Sequence, residues 1–145
     1  MSKLLKIKEA FYTLHGEGAR AGRASVFIRF SKCNLWNGKE SGRAAALCQF
    51  CDTDITGTDG ENGGEYSLDA LVNLALSLWP NMGLGEPYIV FTGGGPALHL
   101  STPVLSDFKN PAFSVELLPL HPSEISVVTT IKSNLFISCP LAFCR

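Results

Sequence analysis

The sequence predicts one α/β domain with parallel strands, in which one strand feeds a long cysteine-bearing loop. Three observations predict it. An apolar strand, a capped amphipathic helix and a second apolar strand follow one another, which makes a βαβ unit and so a parallel pair. Three cysteines, Cys33, Cys48 and Cys51, fall in a stretch rich in Gly and Arg directly after the first of those strands. A glycine run, Gly93-Gly94-Gly95-Pro96, directly follows the second.

Taken in order, Leu4 to Phe11 reads as a strand. Ser25 to Phe30 (Ser-Val-Phe-Ile-Arg-Phe) is a strand of high β-propensity. Residues 31–64 are the long loop. Ser67 to Trp79 is a helix: Ser67 caps it, Leu68, Leu71, Val72, Ala75 and Trp79 keep helical spacing, and Pro80 stops it. Leu74, Leu76 and Leu78 widen its apolar face, so a largely buried helix is expected. Tyr88 to Thr92 is a core strand. Phe113 to Leu118 and Ile125 to Ile131 are candidate strands further on. The cysteine loop and the glycine run leave the carboxyl ends of two parallel strands, so both point at one face of the sheet.

Composition bounds the function. The chain has 145 residues, 46% of them apolar and 17% charged, with a net charge of −1, which suits one soluble globular domain. The near-neutral balance argues against a nucleic-acid-binding surface. The start, Met1-Ser2-Lys3-Leu4-Leu5-Lys6-Ile7-Lys8, has no signal-peptide core, and no apolar run reaches membrane-span length. Five cysteines, three of them clustered, suggest metal ligation in a cytoplasmic protein over disulfide pairing. All fourteen glycines lie at or before Gly95, and five of the eight prolines lie at or after Pro103. Residues 1–100 therefore read as one folded part. Residues 101–145 read as an anomalous tail, from a frameshifted or truncated reading frame, with a divergent C-terminal half as the alternative.

The cysteines carry the chemistry. Their spacing is Cys-x14-Cys-x2-Cys. Three thiolates are one too few for a closed zinc site or a fully ligated iron–sulfur cluster. A [4Fe–4S] cluster held by three has one iron open to a small molecule. A zinc site completed by His15, His99 or another Cys is the alternative from the same residues. Cys139 and Cys144 have no other ligands nearby in sequence and read as plain thiols.

The flanking words extend the pattern: Phe11-Tyr12-Thr13-Leu14-His15-Gly16-Glu17-Gly18, then Arg29-Phe30-Ser31-Lys32-Cys33-Asn34-Leu35-Trp36, then Cys48-Gln49-Phe50-Cys51-Asp52-Thr53-Asp54. Over about residues 4–100 the chain resembles the 7-carboxy-7-deazaguanine synthases, radical S-adenosylmethionine (SAM) enzymes of queuosine and 7-deazapurine biosynthesis. The resemblance implies an incomplete TIM-like radical SAM barrel with its site at the carboxyl ends of the strands. It implies a homodimer with a [4Fe–4S] cluster on Cys33, Cys48 and Cys51, SAM, Mg²⁺ and a reductant such as flavodoxin. SAM cleavage then starts the conversion of 6-carboxy-5,6,7,8-tetrahydropterin to 7-carboxy-7-deazaguanine with loss of ammonia.

The same resemblance assigns roles. Phe50 packs near SAM's adenine, and Gly94 brings backbone to its ammonium. Thr53 offers a hydroxyl to Mg²⁺. Leu14, His15, Gly16, Arg29 and Thr92 hold the pterin, with Arg29 on its carboxylate. Two departures stand out. Gly95 replaces the Glu of the Gly-Gly-Glu-Pro motif, and His15 stands where relatives commonly have Gln. The later Asn-Gly and Ser-Pro-Lys segments that complete the SAM contacts are missing from residues 101–145, which puts activity at risk. Each role has a plainer counterpart: a core Phe, a turn Thr, an ion-paired Arg, a loop His, a strand-to-helix turn. Other function classes are a glycyl-radical activase, also a radical SAM enzyme, and a non-enzymatic zinc-binding remnant.

Overall fold

The sheet is built outward from a hairpin-like pair. β1 (Leu5–Leu14) and β2 (Ala24–Phe30) run antiparallel, with Leu14 opposite Ala24 and Ile7 opposite Phe30. The computed structural model describes residues 4–16, 18–80, 83, 85–99, 114–117 and 135–137. β3 (Gly64–Tyr66) adds antiparallel to the outer side of β1. Its Lys6–Glu65 cross-strand pair, 2.7 Å apart, is half exposed and so a minor contributor. β4 (Tyr88–Gly93) lies parallel to β2 on the other side, with Arg29 opposite Thr92 and Phe30 opposite Gly93. β5 (Ser114–Leu117) and β6 (Leu135–Ile137) continue the parallel run. Among the described residues the sheet order is β3-β1-β2-β4-β5-β6.

The strand–helix–strand expectation holds. α1 (Leu68–Leu78) lies between β2 and β4 in sequence, and those strands are parallel. The Ser67 hydroxyl accepts from the Ala70 amide at 3.3 Å, and Asp69 places negative charge in the first turn. Leu71 and Ala75 of α1 pack on the sheet face formed by Ile7, Ala10, Val26, Ile28, Phe30, Ile89, Phe91 and Val115. Burying a side chain such as Leu71 stabilises by roughly 1.5–3 kcal/mol.

Four expectations need correction. The sheet is mixed, because β1 is antiparallel: a short connection over 15–23 closes a hairpin, whereas a parallel pair needs a crossover. β1 also runs three residues past Phe11, carried by its pairing with β2. The end of the expected loop is ordered as β3. The helix is half buried: only Leu71 and Ala75 are fully covered and Leu76 is 42% exposed, since a helix on one sheet face buries one stripe. Of the two later candidate strands, 113–118 contains β5, while 125–131 lies outside the described residues. Among the described residues no helix is long and apolar enough to cross a membrane.

Candidate functional site

The cysteine loop leaves β2 at a sewn seam. Ser31 donates its amide to the Lys6 carbonyl at 2.9 Å and its hydroxyl to the Gly57 carbonyl. Lys32, in the left-handed region at φ 68°, donates to the Ile55 carbonyl at 2.8 Å. A side chain absent from the sequence reading finishes the seam. Lys8 sits at the register shift of β1 and is only 7% exposed. Its ammonium donates to the Thr56 carbonyl (2.8 Å) and pairs with Asp54 (2.8 Å) and Asp59 (2.6 Å). Hydrogen bonds to Asp54 and Asp59 hold the Lys8 pKa above its ordinary value. Bonded first by Lys8 and then by the Thr56 amide, Asp54 is lowered to about 2. The carboxyl of Asp59 is lowered too, chiefly by Lys8.

The distant cysteine returns because the loop closes on itself. The Leu35 carbonyl accepts from the amides of both Leu47 (3.0 Å) and Cys48 (3.2 Å), which brings the two ends of the gap together. Cys33 Sγ accepts from the Leu35 amide at 3.4 Å. Cys48 and Cys51 are buried with Leu35, Trp36 and Ile55, and Cys33 packs against them. Among the described residues none of the three is in a disulfide. Burial pushes the Cys48 thiol up, and the neighbouring Cys51 and Cys33 push it further. Thiolates crowded in an apolar pocket repel, and a thiophilic cation relieves that repulsion. The donor set thus fits a sulfur-ligated metal group. Among the described residues no three His, Cys, Asp or Glu stand close enough to hold one metal ion. A four-iron cluster is larger than one ion and takes its ligands from further apart. Of the fourth ligands named for the zinc alternative, the His15 ring packs on Phe27 (5.5 Å) and the His99 ring stacks on Phe30 (4.9 Å).

Beside the loop runs a polar row across three strands. Glu9, Arg29 and Thr92 are register neighbours on β1, β2 and β4. Arg29 Nε donates to Glu9 Oε1 at 2.7 Å, and both side chains are about three-quarters buried. The structure therefore sets Arg29 opposite Thr92 and gives Arg29 the ion pair that was its plainer counterpart, with Glu9. The glycine run packs on the same seam. A Cβ at Gly93 (φ 75°) would lie 2.1 Å from Arg29 Cγ, and one at Gly94 would lie 1.9 Å from the Lys32 carbonyl oxygen. The Gly94 amide donates to the Phe30 carbonyl at 3.1 Å. Glycine at 94 is thus required by the chain's own packing. Gly95 is left-handed at φ 63° and opens a short 3₁₀ turn, Pro96–Leu98.

Phe50 is 54% exposed beside the close cysteine pair, and Thr53 is half-buried beyond it. Leu14, His15 and Gly16 are not brought to this site. Because β1 is antiparallel, Leu14 pairs with Ala24 at the opposite end of β2. That is about 17 Å along the strand from Arg29 at ~3.3 Å per residue. His15 is 2% exposed, while Leu14 is exposed and borders a cavity of about 600 Å³ with Tyr12, Arg23, Trp79 and Glu86. Cys139 and Cys144 lie outside the described residues.

No family model matches the chain. It is 51% identical over 112 residues to 7-carboxy-7-deazaguanine synthase of Burkholderia multivorans, covering 77% of this chain and 53% of that protein. The protein of the same name from Nitratidesulfovibrio vulgaris is 47% identical over 127 residues, covering 86% of this chain and 54% of its own. The chain is a relative of the 7-carboxy-7-deazaguanine synthases. It spans about half the length of these curated relatives. The crystal structure of QueE from Escherichia coli shares the fold, with a TM-score of 0.61 at 20% identity over 92% of this chain and 58% of that one. The matched lengths reach past residue 100, beyond the words that carry the synthase resemblance.

Three residues of the seam, the polar row and the cysteine loop were missed in the sequence. Lys8 had a weak signal, a Lys inside an apolar strand. Glu9 had none, because its pairing with Arg29 depends on a register twenty residues away. Arg43, inside the fourteen-residue gap, was read only as loop composition.

Proposed function

We propose that this chain forms the cluster-binding part of a radical SAM 7-carboxy-7-deazaguanine synthase, acting on 6-carboxy-5,6,7,8-tetrahydropterin. One observation carries the reading: the self-closed loop gathers Cys33, Cys48 and Cys51 in one pocket at the sheet end where Arg29 meets Thr92. The synthase relatives support it. When bound, a [4Fe–4S] cluster with SAM supplies the radical that starts ring contraction and loss of ammonia. The residues present hold and orient. Cys33, Cys48 and Cys51 would ligate three irons and leave the fourth for SAM. The half-exposed ring of Phe50 offers adenine an apolar surface. A hydroxyl from Thr53 would join Mg²⁺, which needs few protein oxygens. Arg29 would bind the substrate carboxylate, with Glu9 fixing the guanidinium through Nε, and Thr92 would hold the neighbouring polar edge. Gly94 would present strand-end backbone to SAM. A cytoplasmic homodimer reduced by a flavodoxin-type donor completes the proposal.

The test is anaerobic reconstitution followed by iron, sulfide and zinc analysis and EPR of the dithionite-reduced chain, with and without SAM. About four irons per chain and an EPR signal that shifts with SAM are expected. Replacing any one of the three cysteines by Ala should abolish the SAM-responsive signal. Zinc or no metal in the reconstituted chain overturns the reading in favour of a remnant. Turnover of the pterin separates the synthase from an activase, which would ignore it.

A further inference from the structure

The fourteen-residue gap contains a side chain with three simultaneous attachments. Arg43 lies in a short 3₁₀ helix, Glu40–Ala45. Its Nη1 donates to the Gln49 carbonyl at 2.8 Å and to the Cys51 carbonyl at 3.0 Å. Its Nε donates to Glu40 Oε2 at 2.7 Å, and Nη2 bonds the other carboxylate oxygen. The guanidinium carbon stands 4.4 Å from the centre of the Trp36 ring, which is buried with the cysteines. A return bond runs the other way, from Gln49 Nε2 to the Ala44 carbonyl at 3.0 Å. Crossed hydrogen bonds thus join the gap helix to the turn that carries Cys48 and Cys51.

The two carbonyls held by Nη1 belong to residues inside and at the end of the close pair. Fixing both restricts the turn to one shape. Only a planar guanidinium can clasp a carboxylate, bond two carbonyls and stack on an indole at once; a Lys ammonium lacks the fork and the plane. Arg43 keeps 28% of its side chain exposed, so much of its charge lies under the loop surface. The bond from Nη1 to the Cys51 carbonyl places the cation against the residue that carries one of the three sulfur atoms.

We propose that Arg43 is a positioning residue for the Cys48–Cys51 pair, holding the turn in its ligand-presenting shape before any cluster binds and leaving a fixed positive charge beside the sulfur atoms. The second half of this rests on the cluster reading above; the first half does not. A positive charge near an iron–sulfur cluster favours its more negative, reduced form, so the charge should raise the reduction potential.

The experiment compares the full chain with Arg43→Gln, Arg43→Lys and Glu40→Gln. Amide hydrogen exchange over residues 47–51 is read in metal-free protein, and the midpoint potential is read after reconstitution. In Arg43→Gln, exchange should rise by about tenfold or more, the scale of losing a charge-assisted hydrogen bond, and the potential should fall. Arg43→Lys should recover the potential while leaving exchange fast. Glu40→Gln should show a smaller rise in exchange in a protein that melts like the unmodified chain. Unchanged exchange in Arg43→Gln and Glu40→Gln overturns the positioning role. Unchanged potential in Arg43→Gln overturns the charge role. If the unmodified chain binds no iron, the cluster reading and the charge role fall together, and the exchange comparison still decides the positioning role.

Discussion

Gly94→Ala is the most informative single substitution in the seam. A Cβ there would sit 1.9 Å from the Lys32 carbonyl oxygen and 2.5 Å from its carbon, where real contacts are not found below 3.0 Å. The end of β4 and the root of the cysteine loop must therefore separate by more than an ångström. Overpacking of this kind costs roughly 1–3 kcal/mol. The separation also strains the bond from the Gly94 amide to the Phe30 carbonyl, now 3.1 Å, which contributes about 0.5–1.5 kcal/mol. A total near 2–4 kcal/mol corresponds to a melting point lower by about 6–15 °C for a chain of this size. Thermal unfolding followed by circular dichroism reads it directly. Lys32 immediately precedes Cys33, so iron loading should fall in the same variant. If Gly94 served only the close approach of a ligand, SAM affinity would fall with no change in melting. A variant that melts within about 2 °C of the unmodified chain would refute the packing argument.

Further outcomes follow from other sites. The Asp54 carboxyl is lowered from 3.8 to about 2 by Lys8, so its contribution is present above its unfolded value and lost as the pH falls through the folded one. The melting temperature should therefore decline between pH 4 and pH 2, and the decline should be shallower in Asp54→Asn and in Asp59→Asn. Lys8 is raised by the same pair, so its contribution persists below its unfolded value and is lost only at strongly alkaline pH. Gly95→Glu restores a carboxylate at a left-handed position, where a side chain costs about 1–2 kcal/mol. It should melt a few degrees lower yet bind SAM more tightly by equilibrium dialysis, and unchanged SAM affinity would remove the carboxylate from consideration. Leu71→Ala should cost about 2–5 kcal/mol and Leu76→Ala under about 0.5 kcal/mol in denaturant titrations, since one is fully buried and the other 42% exposed.

The parts of the fold legible in the sequence are those whose signal is local. α1 has a cap, a period and a proline stop, and its limits match to within a residue. β2 and β4 are short apolar runs, and their parallel pairing follows from the helix between them. That pairing alone brings the cysteine loop and the glycine run together. What the sequence hid is non-local. The direction of β1 depends on whether the nine residues after Leu14 close a hairpin, and no residue among them dictates that. That direction sets Leu14 opposite Ala24, at the other end of β2 from Arg29. β3 is three residues with a Gly and a Glu, too short and too polar to declare itself. Arg29 was recognisable as an unusual strand residue, but its partner Glu9 emerges only from the register.

The double bond acceptance at Leu35 changes what the wide cysteine spacing means. Once the amides of Leu47 and Cys48 are tied to that one carbonyl, the residues between are an excursion whose two ends already touch. Lengthening or shortening such an excursion adds little closure cost, because cost grows only with the logarithm of length. Outside Arg43 and its partners, the number of residues between Cys33 and Cys48 can then change while the sulfur atoms stay put. A search for kindred proteins keyed to the count would pass over them. One keyed to the knot, a carbonyl two residues after the first cysteine that receives the amide of the second, would find them.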